Sequence, residues 1–62
     1  MNGWIITGID DDGTPLFWNN EGGWGEGVLW ATTFTEEERR LLTHFPVLLG
    51  RAQGGAPRWV PV

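Results

Sequence analysis

Eight aromatic side chains, five tryptophans and three phenylalanines, stand in a chain of only 62 residues, and they constrain the fold more than any other feature. A chain of this length buries only about 60% of the surface that its unfolded form exposes. The sequence contains no cysteine, so neither a disulfide nor a zinc–thiolate site can reinforce the small core. We therefore predict that most of the tryptophans pack inside one small domain spanning residues 1–62.

The charge pattern argues against two classes of ligand. Eight carboxylates stand against four basic residues, all of them arginines, and the formal net charge is −4. A nucleic-acid-binding protein normally presents a basic stripe to the phosphates, and anionic membranes also attract basic segments. We therefore expect no direct nucleic-acid binding and no membrane contact. The first residues lack the basic and apolar regions of a signal peptide, so we expect a cytoplasmic protein.

The first two elements are predicted to form a β-hairpin. Residues 4–9 are rich in β-branched side chains, and residues 15–19 have the pattern of a returning strand that begins with proline. Between them, Asp12-Gly13 is a typical pair for a two-residue type I′ turn. This loop would place Ile9 opposite Leu16.

That register distributes apolar side chains over both faces of the hairpin. One face would carry Ile5, Thr7, Ile9, Leu16 and Trp18, and the other Trp4, Ile6, Gly8 and Phe17. One short helix covers only one face of a sheet, so the other face is expected to be an exposed interaction surface. The alternative is that the glycine-rich loop and the C-terminal arm close over it.

The middle of the chain contains a glycine-rich loop followed by a clear helix start. Residues 20–27 include four glycines and are predicted to be irregular. Residues 28–34 fit either a short strand or an extended approach to the helix. Thr35 and Glu38 have the spacing of a capping box, in which each side chain bonds the other residue's backbone amide. The helix is predicted to run for about ten residues to Pro46, with Leu41, Leu42 and Phe45 facing the core.

The C-terminal part completes a predicted α+β fold. We interpret residues 47–49 as briefly extended, residues 50–57 as a flexible loop and residues 58–62 as an edge strand, since Pro61 cannot donate to a central ladder. The prediction is a small three-stranded, mainly antiparallel sheet with one short helix packed on one face, in the order β-β-α-β.

Five short motifs give the chain a resemblance to a group of small uncharacterised proteins encoded by bacteriophages and prophages. They are an aromatic-Trp-Asn strand, a Gly-Trp turn, an Ala-Thr-x-Phe segment, an acidic capped helix and a closing Trp-Val strand, here at residues 17–19, 23–24, 31–34, 35–38 and 59–60. Residues 51–56 make a longer segment than this pattern has. The resemblance implies a phage accessory protein in the host cell cytoplasm, and it implies no activity for particular residues.

The residue inventory contains no catalytic constellation, so we expect no enzyme activity, no cofactor and no metal. His44 is the only histidine, and Thr43 beside it would point elsewhere on a helix, so His44 is interpreted as a charge at the helix end. The glycine-rich segment lacks the spacing of phosphate-binding loops. The run Asp10–Gly13 lacks the later oxygen ligands of a calcium loop.

The expected function is therefore a non-enzymatic protein-interaction module that binds or inhibits a host or phage protein, and self-association stays open. The residues predicted to form the surface are Trp4, Ile6, Phe17 and Trp24, although Trp24 could instead fold back over the core. A first alternative is an acidic inhibitor that mimics nucleic acid, with Glu36 and Glu37 on its surface. A second is a small-ligand or glycan binder, with Trp24 and either Trp30 or Trp59 lining one groove.

Overall fold

The structure, a computed structural model, describes residues 3–49 and 55–62. Its elements are β1 (Gly3–Ile9), β2 (Pro15–Asn19), β3 (Gly23–Gly25), a 3₁₀ helix (Val28–Trp30), β4 (Phe34–Thr35), α1 (Glu36–Leu41), α2 (Phe45–Leu49) and β5 (Gly55–Pro61). The fold is a small α+β arrangement around an antiparallel sheet. The prediction of three strands and one helix was wrong, because the described residues form five strands and two short α-helices.

β1 is the centre of the sheet because three strands pair with it. β5 pairs antiparallel with β1 from Trp4 to Ile9. β2 pairs with β1 from Thr7 to Ile9, and β4 pairs with Gly3 and Trp4. A strand has only two edges, so β2 and β4 must follow one another along the edge opposite β5. β3 adds outside β2, so β3, β4 and β5 each have an unpaired outer edge in the described sheet.

The register of the β1–β2 hairpin differs by one residue from the predicted register. Thr7 lies opposite Phe17, and Ile9 lies opposite Pro15 rather than Leu16. Because successive side chains of a strand alternate between faces, a shift of one residue moves every side chain of β2 to the other face. The predicted grouping of apolar residues on the two faces was therefore wrong for β2.

The loop between the two strands explains the shift. The Asp10 N–H donates to the Thr14 carbonyl at 2.8 Å, and the Gly13 N–H donates to the Asp10 carbonyl at 3.0 Å. Gly13 has a φ of 90°, while no non-glycine residue in the described ranges has positive φ. This is a three-residue loop, a type I turn followed by a left-handed glycine. Asp12 instead accepts hydrogen bonds from the Thr14 N–H at 3.0 Å and hydroxyl at 2.7 Å.

The strand registers assign each side chain to one of two faces, because residues directly opposite each other point the same way. The helix face, which packs against α1 and α2, carries Trp4, Ile6, Leu16, Trp18, Trp24, Phe34 and Trp59. The open face, on the other side of the sheet, carries Ile5, Ile9, Phe17 and Val60. Two neighbours on β1 are both buried, with Ile6 0% exposed on the helix face and Ile5 5% exposed on the open face.

Aromatic rings in edge-to-face contact fill the helix face. The ring centroids of Trp18 and Trp24 lie 5.4 Å apart, and those of Phe34 and Trp59 lie 5.1 Å apart. Phe45 of α2 meets Trp18 at 6.4 Å, and the Trp59 Nε1–H donates to the Thr43 carbonyl at 3.2 Å. These contacts place α2 and the turn before it over the aromatic side of the sheet.

α1 begins where the sequence predicts. The Glu38 N–H donates to the Thr35 hydroxyl at 3.0 Å, and the Thr35 N–H donates to the Glu38 carboxylate at 2.8 Å. Both halves of the predicted capping box are therefore present. They position the start of α1 directly after β4.

The predicted single helix is divided into two. α1 ends at Leu41, residues 42–44 form a turn, and α2 begins at Phe45. The Leu42 carbonyl accepts from the Phe45 N–H at 2.8 Å, and the Thr43 hydroxyl donates to the Arg40 carbonyl at 2.8 Å. Pro46 stands in the first turn of α2, where a proline needs no N–H, instead of ending a helix. The predicted extended segment at residues 47–49 is helical.

Two other sequence assignments also change. Residues 23–25, predicted to be irregular, form the edge strand β3. The last strand starts at Gly55, three residues earlier than predicted, and pairs along β1 as an edge strand. The predicted loop at residues 50–57 lies partly outside the described residues.

Candidate interaction surfaces

Trp4 and Ile6, two of the residues predicted to form an exposed surface, lie on the helix face of the sheet. Ile6 is completely buried. The Trp4 Nε1–H donates to the Glu36 carboxylate at 2.6 Å, and the Arg39 guanidinium carbon lies 4.5 Å from the centroid of the Trp4 ring. Trp4 is therefore fixed by a charge-assisted hydrogen bond and a cation–π contact, and it connects β1 to α1.

The predicted acidic surface at the start of α1 is partly engaged in local contacts. Arg39 bonds the second carboxylate oxygen of Glu36 at 3.2 Å. The hydrogen bond from Arg39, together with the one from Trp4, lowers the pKa of Glu36 below its ordinary value. Glu38 is occupied by the capping box, whereas Glu37 is exposed. The three adjacent carboxylates therefore do not present a uniform row of free charges.

Trp24 packs over the core. It lies opposite Trp18 in the β2–β3 pair, and its ring extends across the sheet toward β1. A Cβ atom added to Gly8 of β1 would stand 3.4 Å from the Trp24 Cη2 atom. The indole therefore reaches across to Gly8, at a distance where an added Cβ would make an ordinary van der Waals contact. Of the two interpretations of Trp24, the one in which it folds over the small core agrees with this half-buried position.

Phe17 is separated from the other predicted surface residues. It is half-buried on the open face, whereas Trp4, Ile6 and Trp24 lie on the helix face. The structure therefore does not bring the four residues together on one exposed surface. The cause is the one-residue shift in the hairpin register.

Trp30, which the sequence interpretation treated only as a candidate ligand contact, packs against glycine backbone. Its Nε1–H donates to the Gly23 carbonyl at 2.8 Å. A Cβ added to Gly25 would lie 2.6 Å from the Trp30 Cδ1 atom, and one added to Gly22 would also overlap the ring. The indole occupies the space that side chains at these positions would take. The closely spaced glycines before a tryptophan were the available sequence signal.

Hydrogen bonds attach the segment around Trp30 to β2. The Asn19 side-chain amide donates to the Trp30 carbonyl at 2.8 Å. The Thr32 N–H donates to the Trp18 carbonyl at 2.9 Å, and the Thr32 hydroxyl accepts from the Asn20 N–H at 2.9 Å. The 3₁₀ helix is therefore anchored on both sides of its indole contact.

This anchored helix holds two aliphatic side chains out in solvent. Leu29 is 98% exposed, and Val28 is also exposed. We call Val28 and Leu29 the knob. Scattered surface leucines are common, but this pair projects from a backbone that is fixed by the bonds to β2 and β3.

A second exposed apolar surface lies where α1 meets α2. Leu41 and Leu48 are each 78% exposed, and Leu42 and Val47 are exposed as well. An open groove of about 470 Å³ runs along this corner. We call it the corner groove; its lining residues are Arg40, Leu41, Leu42, Thr43, His44, Phe45 and Leu48.

The corner groove contradicts the predicted core stripe. Leu41 and Leu42 were expected to face the core together with Phe45, but only Phe45 packs on the sheet, where it meets Trp18. The predicted stripe would face the core only if residues 36–45 formed one straight helix. Because the chain turns at residues 42–44, the two leucines remain outside while Phe45 is directed inward.

The described residues carry no group of three or more His, Cys, Asp or Glu side chains that could hold a metal ion. Within the same ranges, the helices are too short or too polar to cross a membrane. No family model matches this chain, and neither a curated protein nor a solved structure does. The phage resemblance stays a prediction.

Proposed function

We propose that this protein is a non-enzymatic interaction module, a phage-type accessory protein that docks a host or phage protein through the corner groove. The observation that carries the proposal is the exposure of aliphatic side chains around one open groove, with Leu41 and Leu48 each 78% exposed. An apolar patch on a small protein is typical of a binding surface. This surface replaces the aromatic sheet face of the sequence prediction, because α1 and α2 cover that face.

The two most exposed leucines of the groove would supply part of the binding free energy of a partner. Fully burying a leucine side chain gives about 1.5–3 kcal/mol, so Leu41 and Leu48 together would give about 3–6 kcal/mol. That range corresponds to about two to four powers of ten in affinity, before the cost of association is subtracted. Docking through these side chains would therefore be reversible and would depend strongly on each of them.

The polar residues of the groove favour a particular partner chemistry. Arg40 and His44 contribute the basic groups at its lining, while the remainder is mainly aliphatic and aromatic. A partner segment that places an apolar side chain next to a carboxylate would satisfy both features. This is the chemistry that we expect at the docking site of the partner.

The geometry favours the two alternative functions less. A nucleic-acid mimic needs carboxylates with phosphate-like spacing, yet Glu36 bonds Arg39 and Trp4, and Glu38 bonds the Thr35 amide. A tryptophan-lined ligand groove needs its indoles on one side, yet Trp24 packs on the helix face and Trp30 on glycine backbone. Trp59 bonds the Thr43 carbonyl beneath the helices.

The test compares the captured proteins of matched variants. The tagged protein, Leu48→Asp and the control Val62→Asp are incubated with bacterial lysate, and the captured proteins are quantified by mass spectrometry. Val62 is an exposed apolar residue that is not in the groove. We expect at least one protein to be retained by the wild type and by Val62→Asp and to be lost with Leu48→Asp.

A captured protein is then purified and titrated calorimetrically with the same three chains. The same order of affinities with purified components is expected, and circular dichroism checks that Leu48→Asp is folded. Equal binding by the wild type and Leu48→Asp would rule out the corner groove as the docking surface.

A further inference from the structure

The knob has the properties of a preorganised anchor. Leu29 makes almost no contact within its own chain, since 98% of it is exposed. Its backbone is nevertheless fixed, because Trp30 bonds the Gly23 carbonyl and packs on Gly25. An apolar side chain on a rigid support loses little conformational freedom when it enters a pocket.

The surroundings of the knob and the corner groove are complementary in charge. Glu26 precedes the knob by two residues and is exposed, and Glu21 is exposed in the turn that leads into β3. The corner groove carries Arg40 and His44 among its apolar residues. An acidic, protruding apolar group and a basic, recessed apolar groove thus occur on the same chain.

The groove is also large enough for the knob. A cavity of about 150 Å³ accommodates one benzene-sized group. The corner groove measures about 470 Å³, which leaves room for both side chains of the knob. The exposure of Leu29 shows that the knob does not occupy the groove of its own chain.

We propose that the knob of one copy docks into the corner groove of a second copy, so that the chain self-associates. This inference rests on the proposed function, because the corner groove is the receiving surface in both. The knob and the groove are different patches, so the contact is heterologous: it can continue head to tail, close into a ring, or occur twice around a two-fold axis. The opposite charges of Glu26 and Arg40 would favour this contact.

The decisive experiment is sedimentation analysis of complementary variants. Leu29→Asp removes the knob and keeps the groove, whereas Leu48→Asp removes the groove and keeps the knob. We expect the wild type and Val62→Asp to show a mass that rises with concentration up to about 1 mM, the range of weak association. We expect each variant alone to stay monomeric, and an equimolar mixture of the two to associate again.

Several results would overturn the inference. These are a monomeric wild type over the whole concentration range, continued self-association of Leu29→Asp, or a mixture that fails to associate. Leu29→Asn and Leu48→Asn, of similar size and without charge, are run in parallel to separate misfolding from loss of contact. The same pattern is expected of this second pair.

Charge reversal supplies an independent measurement. Glu26→Arg makes the net charge less negative, so it would strengthen association if only the overall repulsion between copies mattered. We expect it to weaken association several-fold because it meets Arg40, and the double variant Glu26→Arg/Arg40→Glu to recover. Stronger association of the single variant would contradict the Glu26–Arg40 contact.

The outcomes separate this inference from the proposed function. A monomeric wild type that still loses a captured partner with Leu48→Asp would refute self-docking and retain the interaction module. Self-association that is lost with Leu48→Asp, without any captured partner, would refute docking of a host or phage protein and retain self-docking.

Discussion

The two faces of the sheet fix their tryptophans in different ways. On the helix face, Trp18 and Trp24 are held by other aromatic rings beneath α2. On the open face, where Gly25 lies opposite Phe17, Trp30 is instead held by glycine backbone, with a hydrogen bond to the Gly23 carbonyl and close contact with Gly25. A tryptophan can therefore be held either by neighbouring side chains or by the backbone of glycines, which have no side chain in the way. The first arrangement depends on the helices, and the second depends on the local turn.

The largest expected effect is the loss of stability when a buried isoleucine is truncated, and it should differ between Ile6 on the helix face and Ile5 on the open face. Ile6→Ala should lower the free energy of unfolding by about 3–5 kcal/mol, because its cavity would be closed over by the helices. Ile5→Ala should cost nearer 2 kcal/mol, since α1 and α2 pack on the opposite face and the neighbours of Ile5 can relax more easily into the cavity. A domain of this size has a total free energy of unfolding of only about 3–5 kcal/mol, so the Ile6→Ala variant should be largely unfolded.

Urea unfolding followed by circular dichroism measures both variants, with the wild type as reference. Both isoleucines are nearly inaccessible, at 0% and 5% exposure, so they form a matched pair on one strand. Equal losses would mean that the open face is enclosed as tightly as the helix face.

The second prediction compares one added methyl group next to Trp30, at Gly25, with one next to Trp24, at Gly8. Gly25→Ala should cost about 1–3 kcal/mol, because the added Cβ would lie 2.6 Å from Trp30 and would displace the indole. Gly8→Ala places its Cβ 3.4 Å from Trp24, an ordinary contact, and should cost less than about 1 kcal/mol.

Thermal unfolding and tryptophan fluorescence check this pair. Gly25→Ala is expected to lower the Tm and to shift the emission to longer wavelength, as the displaced indole enters water. An unchanged spectrum together with an unchanged Tm would show that Trp30 is not seated on the glycine backbone.

The smallest expected effect is on the pH dependence of the free energy of unfolding, to which Glu36 contributes through its contacts with Arg39 and Trp4. Its pKa is lowered in the folded state by Arg39 and Trp4 from an ordinary value of 4.5, so its stabilising contribution is present above that value. The contribution is lost as the pH falls below 4.5 and through the folded-state pKa. Glu36→Gln should lower the free energy of unfolding at pH 7. Its free energy of unfolding should also fall less than that of the wild type as the pH is lowered.

Glu37→Gln, one residue along the same helical turn, is the matched control for this measurement. Unfolding free energies from pH 7 downward are compared for the two variants. The same acid profile for Glu36→Gln and the wild type would show that the contacts of Glu36 with Arg39 and Trp4 add nothing to stability.

Features that depend on neighbours in sequence were predictable. The spacing of Thr35 and Glu38 predicted the start of α1, and β-branched composition predicted β1. Pro61 indicated that the last strand lies at an edge, as β5 does. Each of these signals acts within a few residues and needs no tertiary partner.

Features that depend on distant contacts or on small local differences were missed. Asp12-Gly13 suits two loop lengths, and only the backbone conformation at Asp12 separates them. β3 exists because Trp24 pairs with Trp18, which outweighs the glycine-rich composition around it. The exposed leucines of the corner groove depend on where α1 ends, and Pro46 is compatible with either one helix or two.

The position of β5 has a consequence for the order of folding. β1 is made first, but one of its two edges is filled by β5, near residue 60, with Trp4 lying opposite Pro61. During translation one edge of the central strand therefore stays unpaired until almost all of the later elements have emerged from the ribosome. Such long-range closure slows folding and leaves the nascent chain open to wrong strand partners in the meantime. Premature termination anywhere before β5 would release a product that cannot complete its sheet.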